Sequence, residues 1–397
     1  MTEKKNHISL IKLIYSVVIG LLPVLVLLKF NVAGINIDRI LLIVFSLLSL
    51  IPALQKGKFR VRGDVLVSVA LYCLWVTLNA LYFNSCGIFG MVSVWIIIFF
   101  GLCYTIPEYL DFATVKKVVI FVSVLAAVSV IAQSILYYAF GIYWSPIPRN
   151  LYRQNVIESY SGFLGTGLDR GLFRPSGFFL EPAHLAEYCV VGLISSLIDD
   201  NPKFNISILI SIGIVFTTSG IGIILASLVW IFVLFFTQER KYHFSFKKFA
   251  IVIIVVIVII TVLDNIGVGS AIWNRFKIAN VGTGFSSRFS DVSIAFSNFT
   301  LKEFFFGEGF DSPTNYWLSG LFSIVRQIGI IGLICFLNVL VLFYRRSKTF
   351  GKCLILVYFG LLLSAEVSNM TYMSFYIGIA FSSFAMEKSD RTQRLGY

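Results

Sequence analysis

Residues 204–236 read FNISILISIGIVFTTSGIGIILASLVWIFVLFF and carry no charged side chain. A helix crosses the hydrocarbon core of a bilayer in about 20 residues. This stretch is too long for one crossing and long enough for two short ones. Thr217-Thr218-Ser219-Gly220 stands at its middle, where hydroxyl side chains and a glycine suit a tight turn. We read a hairpin of two spans, 204–218 and 220–237. A single kinked span is the alternative and would put the C-terminus on the other side.

The same criterion, applied outward, gives about twelve spans in all. The others are 8–29, 35–54, 64–84, 88–106, 115–140, 179–198, 248–266, 321–344, 351–367 and 370–386. Composition agrees. Of the 397 residues, 58% are hydrophobic and 13% charged, against about 25% charged in a soluble domain. Too little polar surface exists to cover a water-soluble particle, which excludes a cytoplasmic enzyme, a nucleic-acid module and a disordered chain. Cys73, Cys86, Cys103, Cys189, Cys335 and Cys353 lie in or beside apolar runs, with no CxxC pair and no metal-ligand spacing. They read as packing residues. The first apolar run is followed by no A-x-A site and reads as a span, not a cleaved signal peptide. Neither a fixed-period repeat nor a matched pair of interrupted helices is visible. The expectation is one membrane domain over 1–397, all-α and polytopic.

Orientation follows from Lys and Arg. With the N-terminus in the cytoplasm, most of the 32 basic residues fall on that side. Lys56, Lys58, Arg60 and Arg62 form one cluster, Arg240, Lys241, Lys247 and Lys248 another, and Arg345, Arg346, Lys348 and Lys352 a third. Both termini are then cytoplasmic, and most of the net charge of +12 is a topology signal with a preference for anionic lipid headgroups. Two long outside loops, about 141–178 and 267–320, break the rule. The first carries Arg149, Arg153, Arg170 and Arg174; the second carries Arg275, Lys277, Arg288 and Lys302. Loops of this length in a compact fold are usually functional or disordered. Arginine outnumbers lysine, which favours bidentate phosphate or carboxylate contacts. The plainer alternative is solvated loop charge or headgroup contact.

Chemistry concentrates in Arg174-Pro-Ser-Gly-Phe-Phe-Leu-Glu-Pro-Ala-His-Leu-Ala-Glu-Tyr188. Pro182 suits the first turn of the sixth span, which puts Glu181 at the cap, His184 just inside, and Glu187 one turn further on the same face. A helix start offers free N–H groups and a positive dipole end, hence an anion site. A carboxylate there is stabilised in its ionised form, so Glu181 is the first choice as proton acceptor and His184 the second. The alternatives are a simple cap for Glu181 and a backbone-bonded interfacial histidine for His184. Asp38-Arg39 reads as a local ion pair at the membrane surface. Glu366 and Asn369, at the outer end of the eleventh span, read equally well as loop or cleft.

Arg174-Pro-Ser-Gly-Phe-Phe followed by Glu181-Pro-Ala-His184 resembles Wzy-type O-antigen polymerases, which belong to a wider family with the O-antigen ligases. Thr218-Ser219-Gly220 is similar to that family's break between spans. Gly307-Glu308-Gly309-Phe310, preceded by Arg288 and Asp291, and Arg326-Gln-Ile-Gly329-Ile-Ile-Gly332 are the remaining likenesses, so that the resemblance covers roughly 170–335. An Arg-x10-Gly spacing proposed for some members is absent: Leu164 and Ser286 stand where Arg153 and Arg275 would need glycine. The second loop lacks the histidine typical of ligases, which tilts the resemblance toward polymerase.

The resemblance implies a GT-C-type membrane glycosyltransferase with two periplasmic loops in a bacterial inner membrane. It implies transfer of a glycan from undecaprenyl pyrophosphate to a hydroxyl of another lipid-linked repeat unit. Cations and N–H donors are needed where charge gathers on the leaving pyrophosphate. Arg174, Arg288 and Arg326 are the first choices, with Arg149, Arg153, Arg170 and Arg275 behind them. Asp291 and Asp311 are weaker candidates beside Glu181 and His184. The expected reaction needs no metal and no cofactor. Expected partners are the lipid-linked oligosaccharide donor and acceptor, membrane lipids, a chain-length regulator and a flippase, and no nucleic acid. Trp144, Tyr152, Tyr160, Tyr316 and Trp317 are candidate sugar-stacking groups or an interfacial aromatic belt. The competing functions are ligase and lipid-linked oligosaccharide flippase, the latter disfavoured by cations in long outer loops.

Overall fold

A computed structural model describes residues 10–32, 35–56, 63–152, 168–169, 172–199, 201–236, 291–312 and 318–394. The described chain is mostly helical. The helices are α1 (Leu10–Leu25), α2 (Ile37–Lys56), α3 (Gly63–Phe83), α4 (Ile88–Val94), α5 (Ile106–Tyr109), α6 (Phe112–Phe140), α7 (Pro182–Leu197), α8 (Phe204–Phe216), α9 (Gly220–Phe236), α10 (Leu301–Phe306), α11 (Gly320–Arg346), α12 (Thr349–Ser364) and α13 (Met370–Arg394). Every predicted span has its helix except 248–266, which lies outside the described residues. Among the described residues, strand is confined to two short antiparallel ribbons, Asn31–Val32 with Ile35–Asn36 and Leu168–Asp169 with Leu172–Phe173.

Among the described residues, four helical stretches are long and apolar enough to cross a membrane: Gly63–Phe83, Ile88–Thr105, Phe112–Phe140 and Gly320–Arg346. Leu10–Leu25, Phe204–Phe216, Gly220–Val233 and Thr349–Ser364 are shorter and also apolar. Outer faces are apolar too. Val67, Leu71, Leu74 and Leu78 stand exposed on α3, and Phe121, Leu125 and Val128 on α6. Such continuous apolar surface is what a hydrocarbon solvent selects. The chain is membrane-embedded.

Between α4 and α5, Trp95–Thr105 winds as a π-helix. The sequence reading expects an ordinary helix here; an all-apolar run looks the same with either winding, so hydropathy does not separate them.

The 204–236 stretch folds back on itself. Trp230 donates its indole N–H to Ser211 Oγ at 3.0 Å, although nineteen residues of continuous helix would hold them about 28 Å apart. The reversal sits at Thr217–Ser219, with Thr218 in the left-handed region at φ 54°. Both α8 and α9 pack on α7. Nearly every side chain of α7 is buried, which makes it the central helix.

α11 is broken at Gly329, whose φ of 69° and ψ of 179° interrupt the helical ladder. A break frees backbone carbonyls, which is costly where water is scarce. Three of the carbonyls at the break have donors from outside the helix. Glu308 N–H donates to the Arg326 carbonyl at 2.8 Å, Gly309 N–H to that of Gln327 at 3.0 Å, and the Trp75 indole to that of Ile328 at 2.9 Å. Glu308 also pairs with the Arg326 guanidinium at 2.8 Å. Asn79 on α3 closes the clamp, donating to the Phe306 carbonyl and accepting from Phe310 N–H at 2.7 Å. Asn79→Ala leaves both groups without a partner. The expected cost is about 2–4 kcal/mol, read as a lowered melting temperature in detergent; an unchanged melting curve would show the clamp to be dispensable.

Candidate functional site

The approach to α7 is built from residues that sequence places in a loop. From Phe173 to Leu180 the chain is largely buried although it is not helical. Gly177 adopts φ 59° and lies against α6: a Cβ there would stand 2.8 Å from Leu185 Cδ1 and 3.4 Å from the Ala126 carbonyl. Only glycine combines that conformation with that approach. Gln133 of α6 holds it by both amide atoms, accepting from Gly177 N–H at 2.8 Å and donating to its carbonyl at 3.1 Å. The same Gln133 amide donates to the Trp144 carbonyl at 3.0 Å. Tyr152 donates its hydroxyl to the Phe178 carbonyl at 2.9 Å.

These bonds set the start of α7 inside the bundle. Glu181 holds the N-cap position in extended conformation with Pro182 following, as the sequence predicts, yet its side chain makes no cap hydrogen bond. The side chain lines a cavity of about 610 Å³. His184 and Glu187 line it from the same helix, Asp291 and Asp311 from the second loop region, Gln327 from α11, Glu366 and Asn369 from the α12–α13 turn, and Arg39 from α2. Five carboxylates and one guanidinium thus meet among the described lining residues. A chamber of this size, lined by carboxylates together with hydroxyl and amide groups, suits a polyhydroxylated ligand.

Several wall positions are fixed from behind. Asp38 is buried and accepts from Thr371 Oγ1 at 2.6 Å. Asn369 caps α13, its side-chain oxygen accepting from Thr371 and Tyr372 N–H at 3.1 and 3.0 Å. Gln327 accepts from Asp311 N–H at 3.3 Å and donates to Ser323 Oγ at 3.1 Å. Glu366 opens into the cavity; desolvation by the surrounding protein pushes its carboxyl pKa up from the ordinary carboxylate value.

The predicted site residues divide into groups. Glu181, His184, Asp291 and Asp311 come together at the cavity. Arg174 is half-buried at the head of the 174–181 segment and is not among the lining residues. Arg326 is held by Glu308, with its side chain 13% exposed, and serves the α11 clamp. Arg149 begins a short 3-10 turn, Arg149–Leu151. Arg153, Arg170, Arg275 and Arg288 lie outside the described residues, as do Tyr160, Tyr316 and Trp317. Tyr152 is 1% exposed and is a strut, not a stacking platform. Trp144 is exposed. Lys302 lies 4.9 Å over the Tyr82 ring, as a surface charge does.

Arg39, Gln327 and Glu187 are cavity residues that were not site candidates in the sequence. For Arg39 a signal existed. Consecutive residues on a helix point about 100° apart, so Asp38 and Arg39 on α2 face different surroundings. Among the described residues no group of three or more His, Cys, Asp or Glu side chains is placed to hold a metal ion. No protein-family model matches the chain, and no curated protein matches it.

Proposed function

We propose that the protein is an O-antigen polymerase of the bacterial inner membrane, with twelve spans, a GT-C-type architecture and both termini cytoplasmic. The observation that carries this reading is Glu181: a carboxylate at a helix start, unused by the helix, facing a polar chamber beside His184. In the proposed reaction Glu181 accepts the proton of the acceptor sugar's hydroxyl. That oxygen bonds to the anomeric carbon of the donor glycan. The bond from that carbon to the pyrophosphate oxygen breaks, and undecaprenyl pyrophosphate leaves with the electron pair. Asp291, Asp311, Gln327 and Asn369 supply acceptors and an amide for sugar hydroxyls. Arg174, with Arg288 from the second loop, draws charge from the leaving group. His184 orients the acceptor or shares the proton. No metal takes part, and a flippase and a chain-length regulator work alongside.

Deleting the gene and separating the surface glycolipid on a gel tests this reading. The expected outcome is collapse of the ladder to core plus one repeat unit, restored by wild type and not by Arg174→Ala at normal abundance. Bare core without any repeat unit would mean ligase or flippase instead. A normal ladder from Arg174→Ala would remove that residue from the mechanism.

A further inference from the structure

Three basic side chains of the described structure pair with carboxylates. Lys116 pairs with Asp199 at 2.8 Å, Arg326 with Glu308 at 2.8 Å, and Arg346 with Asp64. Arg39 does not. It is half-buried and lines a cavity rich in carboxylates, yet among the described residues it forms neither an ion pair nor a hydrogen bond. A guanidinium withdrawn from bulk water needs a partner for its fork of donors. Its neighbour Asp38 is turned away, toward Thr371. On α2, about one and a half turns beyond Arg39, an exposed apolar stripe begins at Val44 and continues through Leu47, Leu48 and Ile51. The stripe lies round the helix from Arg39, so α2 presents a cation to the polar chamber and an acyl-compatible face to its outside, which suits a phosphate joined to a hydrocarbon tail.

We infer that Arg39 binds the phosphate of a lipid-borne ligand, its guanidinium in the cavity and the lipid tail along α2. This rests on the polymerase reading only for the name of the lipid, a polyprenyl pyrophosphate. A bilayer phospholipid carries the same chemistry. Arg39 then holds the leaving group in the same cavity that Glu181 and His184 line.

The test uses the full-length protein in phosphatidylcholine nanodiscs, with farnesyl pyrophosphate as the probe and calorimetry as the readout. Wild type is expected to bind. Arg39→Ala and Arg39→Gln should weaken binding at least tenfold, and Arg39→Lys, which keeps the charge but loses the fork, by less. Melting temperature and elution volume should match wild type in at least one of these variants. Phosphatidylglycerol in the nanodiscs separates the sources: competition that depends on Arg39 assigns the site to a bilayer headgroup, and its absence assigns it to the pyrophosphate lipid. Equal affinity in a folded Arg39 variant, or no binding by wild type, would overturn the inference. Binding needs no chain growth. A deletion strain with a normal ladder would therefore sink the polymerase reading while leaving an Arg39-dependent site in place.

Discussion

Glu181→Gln should reduce chain growth by a factor of about 10²–10⁴, the usual contribution of a positioned proton acceptor, while the protein reaches the membrane at wild-type abundance. The two halves of that result have separate causes. The amide is nearly isosteric and the wild-type carboxylate makes no cap bond, so little stability is at stake. The carboxylate is the group proposed to take the hydroxyl proton, and an amide has no comparable basicity. Glu181→Asp keeps the acceptor on a shorter arm and should fall between the two. The measurement is repeat-unit number per glycolipid in a complemented deletion strain, with membrane abundance measured in parallel. Wild-type chain lengths from Glu181→Gln would dismiss Glu181 as the base, and His184→Ala would then be the informative variant.

Gly329→Val carries the largest expected effect on folding. At φ 69° and ψ 179° the backbone lies in a region that only glycine occupies without strain. A Cβ would also stand 2.1 Å from the Phe305 carbonyl oxygen, and that atom is backbone in the facing segment. Strain and clash together should cost at least about 4 kcal/mol. The expected outcome is loss of most membrane-inserted protein, with any remainder melting well below wild type. Gly329→Ala meets the same clash and should fail in the same direction. Normal abundance for either variant would mean that the break in α11 does not depend on a residue without a side chain.

Hydropathy made the helices legible, because spans of about 20 apolar residues have few other readings. The turn at Thr217–Ser219 was legible for the same reason: hydroxyl and glycine chemistry stands out in an otherwise apolar stretch. The burial of the segment around 174–178, read as an outside loop, was not legible. Its Pro-Ser-Gly composition is that of a surface turn, and its burial depends on Gln133, some 44 positions away in sequence. The Gly307–Phe310 and Arg326–Gly329 segments could each be picked out, but nothing local shows that they are one clamp. Glu181 and His184 were legible because Pro182 marks a helix start. Arg39 was obscured by the neighbour beside it, which offered an apparent partner on another face.

The clamp at Gly329 and the Gln133 brace at Gly177 also bear on how the chamber can change shape. Broken helices often act as joints. Here Trp75 and Asn79 weld the α11 break to α3, and Gln133 fastens the head of α7 to α6. Asp311 and Gln327 ride on the first of these bodies, Glu181 and His184 on the second. The two therefore act as rigid jaws. The distance across which a sugar hydroxyl meets its base would then be set by sliding between helix groups, not by bending at the break.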